Sequence, residues 1–448
     1  MNPARTISPR VWKLCAAILL AGALSVAGLF LQRRLELSRL EDRLVEEALA
    51  LDSARFARPT HVAPALPGSF GERAAAHLEK LEAAQAQLGA LTVIEERLLA
   101  SVLRGAQPAT AASPRLQATL AENRGALLGL LEATHAEAAR PVASLAAPEL
   151  DETAVATVSL AARLVALEIV DRVEAGQATE ALGRCVDGLA LARDLSYGSA
   201  LQGRMLATAV TGRLLTPCAR ALDAAPAEAK REALHQLEAI RDATPGFAAT
   251  LGEERTVMIV TAFGAGLSSE TVERLPPRFR ATAEGVAART LAGHDHPEGS
   301  RFLIRASLPA IRGAWLALAA ADSLGKTERA REWLGIRQRL AASGNPIVKV
   351  AAPVLDPTFF DARDRLARTQ VELLIHAAAL DLRRARSGRW PVTLAELGTE
   401  VGLNPRADAV REAPLVYFLA KAEETASLEG GEREIAHLSV TADEEVSP

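Results

Sequence analysis

The sequence predicts a mainly α protein: an N-terminal transmembrane helix, an irregular multi-helix bundle or solenoid-like stack, and a small C-terminal helix plus β-hairpin. Three observations carry this expectation. Hydrophobic residues make up 49% of the 448 residues but aromatics only 4%. The difference is mainly alanine and leucine, which favour helix over strand. A charge-free apolar run stands near the N-terminus, and beyond it apolar residues recur at helical spacing between glycine and proline breaks.

The length suits two or three domains with ordinary cores. Lys and Arg total 51 against 55 Asp and Glu, with a net charge of −4 and both signs interspersed. A nucleic-acid partner is excluded on that basis, because it calls for a concentrated basic face. The three cysteines are Cys15, Cys185 and Cys218, and no CxxC occurs. Cys185 and Cys218 stand about 18 Å and 31 Å along their helices from the turn near Tyr197–Gly198. That offset predicts two separate core thiols rather than a disulfide.

Residues 1–13 form a short basic tail with Arg5, Arg10 and Lys13, read as cytoplasmic. Leu14–Leu31 follows without a charge and spans about 27 Å as a helix, the thickness of a hydrocarbon core. Trp12 sits where an interfacial aromatic belongs. This segment is read as an uncleaved anchor whose partner is membrane lipid, with the remainder exported. A cleaved signal peptide ending at Ser25-Val26-Ala27 is the competing reading, and it exports the same domain.

Residues 32–58 read as a helical stalk in which Phe30, Leu37, Leu44 and Leu51 recur every seven residues, a stripe suited to packing on its own domain. Pro59, Pro64, Pro67 and Gly68 break the chain. Ser69 with Glu72 makes a capping box that opens a first helical region, 69–150. Helix is expected there to about Arg104 and again over 115–139. The bundle or hairpin stack covers 151–345, with helices near 151–175, 178–196, 199–222, 226–242, 247–266, 270–292, 300–321 and 327–342. Asn345–Phe360 reads as extended.

A C-terminal region, 361–440, contributes a helix over Asp361–Arg386, a short helix opened by Thr393 and Glu396, and strands over Leu415–Ala420 and Glu434–Val440 separated by a polar loop. Residues 441–448 form an acidic tail, read as disordered.

Four stretches invite a site and fail on chemistry. Ala320–Thr327 resembles a relaxed phosphate loop, but the preceding Ala/Leu-rich residues are helical where a strand is needed. A helix stop at Gly325 and an N-cap at Thr327 explain it. His294-Asp295-His296-Pro297-Glu298 collects metal-ligand types in a loop with no further ligand from a helix. Glu95-Glu96-Arg97 and Glu253-Glu254-Arg255 read as solvated helix faces. No catalytic, cofactor-binding or metal-binding residue is therefore assigned, and no cofactor.

The stretch Ala377–Leu397, AAALDLRRARSGRWPVTLAEL, resembles a segment of exported, membrane-anchored bacterial proteins in which a helix is followed by G-R-[Y/W]-P and then x-[S/T]-L-x-E-L. It is also similar to part of the globular domain of type II secretion pseudopilins. The matching positions are Gly388, Arg389, Trp390, Pro391, Leu394, Glu396 and Leu397. Asn404-Pro405 and Leu415–Ala420 stand where that group has a D-P turn and a β-hairpin, but the D-P-F-x-G run is absent. Val158–Ala239 resembles the helical hairpins of the same proteins. The resemblance implies an exported, anchored bacterial protein at the inner membrane with its soluble domain in the periplasm. It supplies no catalytic residues. Pilus assembly is not implied, since no Gly-Phe-x-x-x-Glu junction precedes the apolar run.

The function expected from these features is a membrane-anchored helical scaffold or protein-interaction module with an unidentified protein partner. The alternatives are an anchored hydrolase whose site is assembled from distant residues, and a secretion-linked pseudopilin-like protein.

Overall fold

The computed structural model describes residues 9–53, 56–142, 145, 151–292, 297–403, 406–419, 425–429 and 437–441. His294–His296, Asn404-Pro405 and the acidic tail beyond Thr441 lie outside the described residues. The chain is mainly helical.

Helix α1 (Pro9–Ser53) runs unbroken for 45 residues. At the end of the apolar run Leu29, Phe30 and Leu31 are exposed, as is Leu35 just beyond it, whereas Leu40, Leu44, Val45 and Ala48 are buried in a core. Of the stripe seen in the sequence, Leu44 is buried in this core and Leu51 packs against it, whereas Phe30 is exposed. Strands β1 (Phe56–Ala57) and β2 (Leu66–Ser69) follow, then α2 (Phe70–Leu88), α3 (Val93–Leu103) and α4 (Pro114–Ala133). Two helices stand where one region was expected to Arg104, because Gly89 takes φ +65° and Thr92 and Glu95 build a new capping box on α3.

Helix α4 stops at Ala133, short of the expected 139. Thr134 turns its hydroxyl back onto the Leu131 carbonyl at 2.7 Å, and Ala136–Ala139 becomes strand β3. β3 lies between β1, antiparallel to it, and β2, parallel to it. Ladder partners on both sides outweigh the helix preference of an Ala-rich tetrapeptide.

Next come α5 (Glu152–Glu174), α6 (Ala178–Leu195), α7 (Ala200–Ala224), α8 (Ala227–Ala243) and α9 (Phe247–Phe263), close to the expected bounds. The expected 270–292 helix is two, α10 (Ser269–Arg274) and α11 (Pro277–Leu291), parted where Pro276 and Pro277 remove two donors. Then follow α12 (Pro297–Ala321), α13 (Lys326–Ala341), α14 (Pro346–Ala351), α15 (Thr358–Ser387) and α16 (Ala395–Glu400). Helix α14 corrects the extended reading of this stretch. Asn345 caps it by accepting the Ile347 N–H at 2.9 Å, and Pro346 suits its first turn. Strands β4 (Val416–Leu419), β5 (Thr425–Glu429) and β6 (His437–Thr441) pair antiparallel in that order, so β5 occupies what read as a polar loop.

Two apolar cores result. One gathers α2–α8 and α15 with Trp390, Leu397 and Leu428. The other gathers the rear of α1 with α9, α11, α12, α13 and α14. Helices α7 and α9 pack across the junction.

Cys185 on α6 and Cys218 on α7 are joined by a disulfide, with Cα atoms 5.3 Å apart, against the expectation of separate thiols. The offset argument assumed that both helices begin at one level. Instead α7 starts beyond the end of α6, so that Gly203, its fourth residue, lies beside Leu195: a Cβ on Gly203 would stand 2.3 Å from the Leu195 carbonyl oxygen. The first turn of α7 therefore overhangs α6, and positions 185 and 218 meet farther along the packed pair. Gly188 permits the closeness, since a Cβ there would stand 2.6 Å from a Leu214 methyl.

Candidate functional site

Two polar constellations are built into this frame. The first joins the β1–β3–β2 sheet to α6. Pro-rich chain between β1 and β2 carries His61 inward, and the α4–β3 turn presents His135. Both imidazoles meet Asp187 Oδ1 through Nε2, at 3.3 Å from His61 and 2.7 Å from His135. Beside them Arg193 bonds both oxygens of Asp194 at 2.9 and 3.0 Å, and Arg58 donates to Asp194 at 2.8 Å. Arg58 and Arg193 both donate to the Thr134 carbonyl. Burial pushes the His61 pKa down, and the two imidazoles hold Asp187 below the usual carboxylate range despite its burial.

The ligand-type atoms of His61, His135 and Asp187 lie within 4.8 Å of one another, close enough to consider a metal. The surroundings fit a hydrogen-bonded junction better. Arg193 Nη1 faces His61 Nδ1 at 3.4 Å. A guanidinium can only donate, so Nδ1 accepts and the His61 proton sits on Nε2, aimed at Asp187. A metal on Nε2 would move that proton to Nδ1, against a cation, whereas metal-bound histidines present their second N–H to an acceptor. The three residues come from separate isolated positions, and nothing local in the sequence signals their meeting.

The second constellation is a cavity of about 470 Å³ at the junction of the two cores. Helix α9 supplies Glu253 and Glu254, and the first two turns of α7 supply Ala200, Leu201 and Met205. The walls include Met258, Phe279, Trp315 and Phe360. The carboxylates sit at the α7 N-terminus. Glu253 accepts the N–H groups of Gly198 at 3.1 Å and Ala200 at 3.0 Å, and Glu254 accepts that of Leu201 at 3.1 Å. Ala200 takes φ +49°, which turns these donors toward α9. Burial raises both carboxyl pKa values to about 7, because the backbone donors only partly replace water. These two residues are thus not the solvated face that the sequence suggests.

Glu95 and Glu96 are not free surface charges either. Glu95 closes the α3 capping box and accepts from Ser113 at 2.7 Å, while Glu96 pairs with Arg163. At Ala320–Thr327, α12 ends at Ala321 and Gly325, rather than Thr327, is the N-cap of α13. Its first N–H, that of Lys326, is taken at 2.7 Å by the Glu412 carboxylate, which also pairs with Arg329. An internal carboxylate therefore occupies the place a phosphate would need.

In the Gly388–Leu397 stretch, Gly388 is a left-handed cap with φ +71°, and Trp390 turns back into the core with Arg384 over its ring at 4.8 Å. Tyr417 donates to the Pro391 carbonyl at 2.9 Å, and Glu396 accepts the Val392 and Thr393 N–H groups. These residues hold the C-terminal turn against α15. A comparison with known proteins finds no family model, no curated protein and no solved structure that matches this chain.

Proposed function

We propose that this chain is a single-pass, membrane-anchored helical scaffold or protein-interaction module, with its body on the periplasmic side of a bacterial inner membrane. The observation that carries the reading is the course of α1. One unbroken helix contains the charge-free Leu14–Leu31 run, leaves Leu29, Phe30 and Leu31 58–67% exposed, and then enters the second core at Leu40. Exposed apolar residues at the end of such a run suit lipid. The Cys185–Cys218 disulfide supports an oxidising compartment.

The body hangs from this helix in a defined way. Glu41 pairs with Arg305 at 3.0 Å and Glu47 with Arg312 at 2.7 Å, so α12 runs parallel to α1 in constant register. Phe302 and Leu303, at 63% and 42% exposure, then stand about 10 Å beyond Leu31, at the edge of the lipid headgroups.

For the interaction role, Val350, Val354 and Phe359 are 57–74% exposed on one short stretch running from α14 into the first turn of α15. A photo-crosslinker at Val354, in native membranes, is expected to trap one discrete protein, with none trapped from a control position at Glu328. Absence of any adduct from Val350, Val354 and Phe359 would count against an interaction module.

The hydrolase alternative has one candidate pair, Glu253 and Glu254. Both are raised to the same value of about 7. An acid–base pair has its two values pushed apart, so this reading is the weaker one.

A further inference from the structure

The junction cavity differs chemically from the other cavities of the described residues. Its lining holds Glu253, Glu254 and Asp356 but no Lys, Arg or His. The smaller cavity between α6, α7, α8 and α15, by contrast, is ringed by Arg193, Arg204, Arg241, Arg368 and Arg406. Three further cavities each carry at least one arginine. In a chain with 51 basic residues, a large cavity with none on its wall is a distinct electrostatic environment.

Asp356 is already paired with Arg337. Glu253 and Glu254 have backbone N–H partners and no ion pair among the described residues, and Arg204, itself paired with Asp364, bears on Glu253 only at longer range. The helix N-terminus that they cap offers about half a positive charge. A buried negative charge is thus left over. The lining also carries Met205, Met258, Phe279, Trp315 and Phe360, the polarisable sulfurs and ring faces on which organic cations rest. Trp315 is 2% exposed, and its indole N–H has no acceptor among the described residues. A calcium ion would want six or more oxygens. Here three of the carboxylate contacts are spent on backbone N–H groups and the rest of the wall is mostly apolar.

We propose that this cavity binds an organic ammonium ion with an apolar or aromatic body, its charged head against Glu254 and Glu253 and its body along Met258, Phe279, Trp315 and Phe360. The volume suits a small amphiphile. The site does not depend on which side of a membrane the body lies, so it stands apart from the anchor reading.

The test uses the full chain in lipid nanodiscs and three probes of one shape: 2-phenylethylammonium, 2-phenylethanol and 3-phenylpropionate. Calorimetric titration at pH 8 is expected to show the ammonium binding at least tenfold more tightly than the alcohol, with the carboxylate weakest. Glu254→Gln is expected to bring the ammonium to the level of the alcohol. The wild-type chain gives a second readout that needs no variant. The ligand stays an ammonium at pH 5.5, its own pKa being about 10 like that of a lysine amine, whereas the cavity carboxylates take up protons as pH falls through about 7. The preference for the ammonium should therefore shrink at least fivefold between pH 8 and pH 5.5. Equal binding of ammonium and alcohol at pH 8, no binding of any probe, or a preference that survives in both Glu253→Gln and Glu254→Gln would overturn the proposal.

Discussion

Cys185 and Cys218 are bonded across antiparallel helices because α7 overhangs the end of α6, which brings their Cα atoms to 5.3 Å. The bond closes a loop over a sequence separation of 33. In the chain-entropy account such a loop stabilises the fold by about 3–4 kcal/mol. Cys218→Ser, or reduction under native conditions, is expected to lower the unfolding free energy by about that amount in denaturant titration. A loss under about 1 kcal/mol would show that the packed α6–α7 contact does not need the bond.

Arg204 on α7 and Asp364 on α15 form a buried pair, with side chains only 4% and 3% exposed. Arg368 supports the carboxylate at 2.8 Å, and burial lowers the Arg204 pKa while the two guanidiniums hold that of Asp364 down. Arg204→Met leaves a buried carboxylate short of its main partner and should destabilise the chain by about 3–5 kcal/mol. Arg204→Met with Asp364→Leu should recover a large part of that loss. A single variant as stable as the wild type would contradict the pair's role in joining α7 to α15.

Stability should fall as pH rises from 5 to 8. Glu253, Glu254 and Glu372 have pKa values raised to about 7 by burial, against about 4.3 in an unfolded chain. A raised value means the folded state favours the proton. That stabilisation is present in full below about pH 4 and is lost as pH passes through 7. Asp187 and Asp364, held low, act in the opposite sense at acid pH. A melting maximum near pH 5 is expected, and Glu254→Gln should flatten the pH 5–8 slope by roughly 1–3 kcal/mol. A melting temperature that climbs steadily from pH 5 to pH 8 would contradict these environments.

If α1 spans a bilayer, the register of α12 against it fixes where the body meets lipid. A fluorophore at Phe302→Cys, in a Cys15→Ala background, is expected to be quenched by headgroup-level lipid quenchers, while one at Glu328→Cys is not. A label at Leu20→Cys serves as the control for the anchor. Quenching at 20 without quenching at 302 would rule out the seating and keep the span.

The helices were legible because alanine and leucine set local preference, and because glycine and proline mark most of the ends. Gly176 and Gly388 both take positive φ where the chain was expected to stop. What escaped was non-local. β3 is an Ala-Glu-Ala-Ala tetrapeptide made strand by partners 81–83 and 69–70 residues earlier. The disulfide depended on where α7 starts relative to the end of α6. The Glu253–Glu254 pair looked like a solvated face because periodicity alone cannot show that the α7 N-terminus sits over it. His61, His135 and Asp187 were equally invisible, each lying on a different part of the chain.

In the proposed arrangement, Leu14–Leu31 holds the chain in the inner membrane with the helical body outside the cytoplasm. A reporter active only in the periplasm, fused after residue 448, tests it most directly. The account predicts an active reporter in the membrane fraction, together with an oxidised Cys185–Cys218 pair. A silent fusion, with a cytoplasmic reporter active at the same position, would contradict it.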